Sequence, residues 1–185
     1  MKHSTIIKSL ASVAVVVGLC SCSPENYSDK NDNVDWDWVA LNEDYYANAA
    51  LETDKDGSPF YEKIVPVWNE GASILMHFYN DRALTAGNLQ PYLTSTVSAK
   101  YELGLANGTA LENSYSNTDS VLTTKVSALV EGWAIALTNM HVGDSVKVVI
   151  PAAQGYGAYT HGSVPAYSTL IFNIKLVDVP AYEVP

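Results

Sequence analysis

The fifty residues from Leu129 to Asp178 decide the fold of this chain, and they read LVEGWAIALTNMHVGDSVKVVIPAAQGYGAYTHGSVPAYSTLIFNIKLVD. Residues 130–138 carry no run of β-branched side chains, so the pattern predicts a short helix that ends before Asn139. Residues 145–150 and 169–177 alternate apolar and polar side chains, which predicts strands. Further strands are predicted over 61–68, 73–79 and 121–126. The sequence therefore predicts an α+β fold, with one short helix across an antiparallel sheet.

Five short motifs follow one another in this stretch, and each would be weak evidence by itself. They are Leu129-Val130-Glu131-Gly132-Trp133, Met140-His141-Val142-Gly143, Val149-Ile150-Pro151, Gly155-Tyr156-Gly157, and Val164-Pro165 followed by Thr169-Leu170-Ile171-Phe172. In this order and spacing they resemble the C-terminal half of the FKBP-type peptidyl-prolyl isomerases. The resemblance implies a half-barrel antiparallel sheet wrapped around a short helix, with a proline-binding pocket between the two.

The resemblance also implies roles for residues of the predicted helix and the last strand. Trp133 matches the tryptophan at the floor of the pocket, and Phe172 matches the phenylalanine at its base. Leu129 and Val130 match the pair whose backbone contacts the substrate. In an unknown fold, Trp133 and Phe172 would more often belong to the core, and the five motifs together favour the pocket.

The loop between the last two strands supplies three further candidates. Tyr156 matches the tyrosine whose hydroxyl bonds a ligand carbonyl, and Val164 matches an isoleucine of the loop wall. His161 lies one residue nearer Val164 than the loop histidine of some family members. A role in the pocket and a position as an exposed loop residue without a role are equal alternatives for it. The chain shows no metal-ligand spacing of histidines, and we expect neither a metal nor a cofactor.

Three positions depart from the family pattern. Phe78 stands at the family tyrosine and lacks its hydroxyl, and Leu111 replaces a phenylalanine of the pocket wall. Glu112 replaces the aspartate that acts on the rotated amide, and the resemblance assigns the catalytic role to Glu112 and Tyr156. The departures leave three functions open: a prolyl isomerase of exported or envelope proteins, a weakly catalytic peptide-binding or chaperone-like module, and a surface interaction lipoprotein.

The N-terminus carries a targeting pattern. Lys2 and Lys8 precede a short apolar run that is too short to span a bilayer, and Leu19-Cys20-Ser21-Cys22 resembles a bacterial lipobox. The pattern predicts lipidation at Cys22 and location at the bacterial cell envelope, in an outer membrane with the domain facing the periplasm or the surface. A cleaved secretory signal with an incidental Cys22, or a retained anchor, is the alternative. Without a later cysteine, the mature chain can form no internal disulfide.

The domain organisation follows from these signals. A signal peptide over 1–21 precedes a flexible acidic tether over 22–34 and a helical extension over 35–59, in which Asp35 caps the helix. An FKBP-like domain follows over 60–180, with a predicted hairpin insertion or flap at about 81–106.

Composition limits the partners. The net charge of −10 over 185 residues argues against nucleic acid and anionic membrane surfaces, so the expected membrane contact is the lipid anchor alone. The expected partners are proline-containing polypeptides, and the resemblance implies that macrolide FKBP ligands fit the same pocket.

Overall fold

A computed structural model describes residues 34–115 and 120–184, which form a seven-stranded antiparallel sheet and two α-helices. The helices are α1 (Trp36–Ala49) and α2 (Glu131–Leu137). The strands are β1 (Glu62–Ile64), β2 (Ile74–Phe78), β3 (Thr96–Leu105), β4 (Ala110–Asn113), β5 (Leu122–Lys125), β6 (Ser145–Ile150) and β7 (Leu170–Ala181). The predicted α+β class with an N-terminal helix is confirmed. The predicted signal peptide, the lipidation site Cys22 and the predicted tether up to residue 33 lie outside the described residues.

The strands are ordered β1-β2-β6-β7-β3-β4, and β5 pairs with the part of β3 that β4 leaves free. Leu103 of β3 lies opposite Phe172 of β7, and Glu102 lies opposite Asn173. Directly paired side chains share a face, and alternate residues of a strand face opposite ways. The face with Leu103 and Phe172 holds α2, and we call it the inner face; the face with Glu102 and Asn173 is the outer face.

The strand β3 corrects the prediction of an insertion over 81–106. Residues 96–105 are an interior strand that pairs with β7 along its length, so they belong to the sheet itself. The connection between β2 and β3 is therefore residues 79–95, which contain one 3₁₀ turn at Arg82–Leu84. This connection is fixed by backbone and side-chain bonds to the α2–β6 turn, such as the Val142 amide donating to the Leu89 carbonyl at 2.9 Å.

Helix α2 is buried almost completely, from Gly132 to Leu137. A Cβ atom added at Gly132 would lie 2.3 Å from Cγ2 of Ile150, which is far inside van der Waals contact. Glycine at this position therefore lets the helix approach β6 closely, and the approach brings the next residue, Trp133, into the hollow of the sheet.

Helix α1 covers part of the outer face. Asp35 caps it, since its side chain accepts a hydrogen bond from the Trp38 amide at 3.0 Å. Ala49 near its end packs with Leu75, Val149 and Tyr61 in a second apolar cluster. Because β2 and β6 are covered on both faces here, residues 74–76 and 148–150 are buried whichever face they point to.

Candidate active site

A cavity of about 240 Å³ lies between the inner face of the sheet, the start of α2 and the β6–β7 loop. We call it the inner cavity. Its lining comprises Tyr101, Leu103, Glu112, Leu122, Ala128, Leu129, Val130, Trp133, Tyr156, His161 and Phe172. Seven of the residues proposed from the sequence are thus brought together from four separate parts of the chain: Glu112, Leu129, Val130, Trp133, Tyr156, His161 and Phe172.

Three aromatic rings form the apolar part of the inner cavity. The centroids of Trp133 and Phe172 are 5.2 Å apart, with their planes at 83°. Tyr101 lies edge-on to Trp133 at 5.4 Å and 88°. Edge-to-face pairs of this kind add to the stability of apolar burial and fix the orientation of each ring. The result is a rigid slot with flat walls, suited to a compact apolar ring.

The first turn of α2 fixes the position of Trp133 in this slot. The Trp133 amide donates to the Val130 carbonyl at 3.0 Å in the first turn, so Leu129, Val130 and Trp133 are presented together. Glu131 between them accepts a hydrogen bond from the Asn69 side chain at 2.9 Å. The contact ties the start of the helix to the connection between β1 and β2.

A phenol and a carboxylate meet at the wall of the inner cavity. The Tyr101 hydroxyl donates to Oε2 of Glu112 at 2.6 Å. Burial, together with this hydrogen bond to Glu112, raises the pKa of Tyr101 to about 12. Tyr101 therefore stays protonated at neutral pH and holds the exposed Glu112 carboxylate in one position.

The β6–β7 loop supplies the opposite side of the inner cavity. Tyr156 stacks on His161, with centroids 4.2 Å apart and planes at 12°. His161 and Val164 exchange two backbone hydrogen bonds of 2.9 Å, which close a tight turn. Burial raises the pKa of Tyr156, and its hydroxyl has no hydrogen bond to any described residue. Tyr156 therefore offers a protonated donor to a ligand.

The sequence placed the phenol of this site wrongly. Phe78 does not line the inner cavity; it lies on β2, where the Arg82 guanidinium carbon sits 4.1 Å from its ring centroid. Tyr101 on β3 provides the phenol that Phe78 was expected to lack. The alternation Val97, Ala99, Tyr101, Leu103 and Leu105 was the signal that could have found it.

Two further residues that the sequence proposed for the pocket, Leu111 and Val164, do not line the inner cavity. Leu111 is half-buried and packs against the main core, and it is not part of the lining. Val164 is buried at 5% exposure within the same core, so it supports the loop from beneath. No group of three His, Cys, Asp or Glu side chains within 34–115 and 120–184 is arranged to hold a metal ion.

Residues 87–177 match the family model described as FKBP-type peptidyl-prolyl cis-trans isomerase. This part of the chain matches the FKBP family. FK506-binding protein 2 of Debaryomyces hansenii is 34% identical over 45% of this chain and 62% of its own length. The FKBP-type isomerase FkpA of Escherichia coli is 33% identical over 48% of this chain and 33% of its own length. The FKBP segment therefore spans less than two thirds of these relatives.

The solved structures show the same FKBP fold. The peptidyl-prolyl cis-trans isomerase of Pseudomonas syringae superposes with a TM-score of 0.62 at 21% identity, over 78% of this chain and 94% of that one. The likeness extends beyond residues 87–177, because 78% of the chain is more than that segment contains. The structural match thus includes residues of the chain that lie outside the segment matched by the family model.

Proposed function

We propose that this protein is a peptidyl-prolyl cis-trans isomerase that acts on exported or envelope proteins. The observation that carries the proposal is the pairing of Tyr101 with Glu112 beside an apolar slot floored by Trp133. The match of residues 87–177 to the FKBP family model supports the same chemistry.

The reaction needs no covalent bond to the protein. An X-Pro amide rotates over a barrier of about 18–20 kcal/mol, because rotation breaks the conjugation between nitrogen and carbonyl. An apolar slot can hold the prolyl ring and exclude water while the rest of the amide turns. Trp133, Phe172 and Tyr101 provide that slot.

Two polar groups then favour the twisted amide over the planar one. The twisted carbonyl carbon is more electron-poor, since the nitrogen no longer donates to it, and the fixed Glu112 carboxylate supplies negative charge at the cavity wall. The Tyr156 hydroxyl is protonated and unpaired within the described chain, so it can donate to a substrate carbonyl. Both groups are in place before substrate binds, which keeps the cost of reorganisation low.

A peptide-binding module with little turnover is the second candidate, because Leu111 replaces an aromatic residue of the family and Glu112 is longer than aspartate. An NMR exchange assay on an X-Pro peptide separates the two. We expect faster cis–trans exchange that a macrolide FKBP ligand abolishes. Peptide binding without faster exchange would establish the second candidate, and neither binding nor exchange would favour an interaction lipoprotein.

We further propose that lipid on Cys22 anchors the protein in the bacterial envelope, on the basis of the Leu19-Cys20-Ser21-Cys22 pattern. None of the helices in the described part of the chain has the length and apolar character needed to cross a bilayer. Intact-mass analysis should find a diacylated or triacylated cysteine at position 22. An unmodified mature N-terminus at another residue would refute the anchor.

A further inference from the structure

We propose that α1 is a working part of the candidate active site, because Asn42 and Trp38 position the β6–β7 loop that carries Tyr156 and His161. The effect on catalysis rests on the proposed function, whereas the effect on the loop does not. Helix α1 lies outside residues 87–177, so the family match does not assign it any role.

Three hydrogen bonds join α1 to the last residues of this loop. The Trp38 indole Nε1 donates to the Ala166 carbonyl at 3.1 Å. The Thr169 amide donates to Oδ1 of Asn42 at 2.7 Å, and the Thr169 hydroxyl donates to the Asn42 carbonyl at 2.9 Å. These bonds fix the loop at two points, just before β7 begins.

Asn42 is built into this contact. It is only 1% exposed, and Thr169 is 2% exposed. Its Nδ2 donates to the Trp38 carbonyl at 2.8 Å, so the side-chain oxygen is turned towards Thr169. Removing the amide would leave the buried Thr169 amide without a partner, which costs more than an exposed hydrogen bond does.

The β6–β7 loop needs contacts from outside the loop to stabilise it, because one of its residues has an unfavourable backbone conformation. Tyr167 lies between the two fixed points with a φ of 61°, in the left-handed region that residues other than glycine rarely adopt. Its amide donates to the Gly157 carbonyl at 2.7 Å. Gly157 follows Tyr156 directly, so the clamp on Ala166 and Thr169 is transmitted through Tyr167 to the catalytic tyrosine.

Packing alone does not hold this part of the loop against the helix. A cavity of about 480 Å³ lies between α1 and the loop, and its lining includes Val39, Tyr46, Ala153, Gly157 and Tyr167. Because the space beside the clamp is not filled by side chains, the three hydrogen bonds carry the attachment there.

The test compares Asn42→Ala with Asn48→Ala in the full chain. Asn48 lies on the same helix and is exposed, so its truncation is the matched control. Amide hydrogen exchange would be measured at Gly157, His161 and Val164 in the loop, whose amides donate to backbone carbonyls, and at Ile135 in α2 as the core reference. We expect about tenfold less protection in the loop of Asn42→Ala and a smaller change at Ile135, with no change in Asn48→Ala.

Two further variants keep the test decisive. Trp38→Phe removes the indole donor and part of a ring that packs against the core, but keeps both Asn42 bonds to Thr169, so we expect a smaller loss of loop protection. Asn42→Asp keeps an acceptor for the Thr169 amide, and we expect more loop protection than in Asn42→Ala. In an X-Pro exchange assay, Asn42→Ala should raise KM more than it lowers kcat, because the loop must order around the substrate.

Unchanged loop protection in a folded Asn42→Ala protein would overturn the proposal. An equal loss at Ile135 and in the loop would also overturn it, since that result describes general destabilisation. If the parent protein has no isomerase activity, the proposed function fails, and the exchange data still decide whether α1 positions the loop.

Discussion

The two faces of the sheet each carry a cavity, and the larger one is the poorer candidate for chemistry. The inner cavity has a volume of about 240 Å³, whereas the cavity on the outer face, lined by Glu102, Asn113 and Asn173 among others, has about 390 Å³. On the outer face, Glu102 accepts hydrogen bonds from the Asn113 and Asn173 side chains. Asn173 in turn accepts one from the Tyr79 hydroxyl. These three hydrogen bonds join Tyr79, Asn173, Glu102 and Asn113 into one network.

The inner face is arranged in the opposite way. Its one phenol–carboxylate pair, Tyr101 with Glu112, is set among aromatic rings, and the Tyr156 hydroxyl has no partner in the described chain. A site needs polar groups that are oriented and still available to a ligand, and a closed network offers none. The Tyr156 donor beside the fixed Glu112 carboxylate thus distinguishes the inner cavity better than volume does.

The strongest test of this contrast is at Trp133. Trp133→Leu keeps apolar volume and removes the flat floor, so we expect a folded protein whose affinity for a proline peptide falls at least about tenfold. Trp133→Ala would add a loss of about 3–5 kcal/mol in the free energy of unfolding. Peptide titration followed by NMR measures the first effect, and urea unfolding measures the second. A folded Trp133→Leu protein that binds like the parent would show that Trp133 serves only the core.

Tyrosine to phenylalanine changes on the two faces form a matched pair. Tyr101→Phe and Tyr79→Phe each remove one phenol that donates to a side-chain oxygen, at 2.6 and 2.8 Å respectively. We expect Tyr101→Phe to lower kcat by about fivefold to tenfold, because Glu112 loses the donor that fixes it. Tyr79→Phe should leave turnover unchanged. If both variants lowered kcat equally, the distinction between the two faces would be lost.

The alkaline pH dependence of stability should also report on Tyr101. Its folded pKa of about 12 lies above the ordinary value of 10.0, chiefly because of burial, so its contribution is full below pH 10 and is lost as the pH rises towards 12. The free energy of unfolding should therefore fall less between pH 9 and pH 11 in Tyr101→Phe than in the parent. Urea unfolding at each pH measures this; Tyr61, whose pKa burial also raises to about 12, is present in both proteins. If the free energy of unfolding fell equally with pH in the parent and in Tyr101→Phe, the raised pKa of Tyr101 would be contradicted.

The smallest effect should be that of Phe78→Tyr. Phe78 packs beneath Arg82 and does not line the inner cavity, so a hydroxyl there cannot reach the Glu112 pair. We expect unchanged kcat and KM in the X-Pro exchange assay. A gain in activity would mean that the family tyrosine is at position 78 after all and that Tyr101 has another role.

The sequence was informative where a short segment decides its own structure. Helix α2 and strand β6 appear within a residue of the predicted bounds, since glycine, proline and β-branched residues mark them locally. Trp133, which the resemblance to the FKBP family assigned to the pocket floor, lines the inner cavity.

Strand β3 was predicted as part of a hairpin insertion and not as a central strand, for a physical reason. Residues 73–79 and 96–105 both suit a strand, and the choice of which one lies beside β7 depends on pairing with residues about seventy positions later. The alternation over residues 97–105 indicates a strand, but neither segment shows which partner strand it pairs with. The error at Phe78 followed, because an aromatic residue in the wrong strand was given the role of Tyr101. The hydrogen bonds between Asn42 and Thr169 could not be predicted for the same reason, since the two residues are far apart in sequence.

The distance in sequence between Asn42 and Thr169 also bears on how the molecule assembles. The two residues are 127 positions apart, and the helix is synthesised first. Chain growth at about 5–20 residues per second makes α1 wait for several seconds before its partner exists. Contacts of this separation form slowly, because a long loop must close before they gain any free energy. We therefore expect the β6–β7 loop to reach its final conformation last, after β7 has joined β6 and β3 in the sheet.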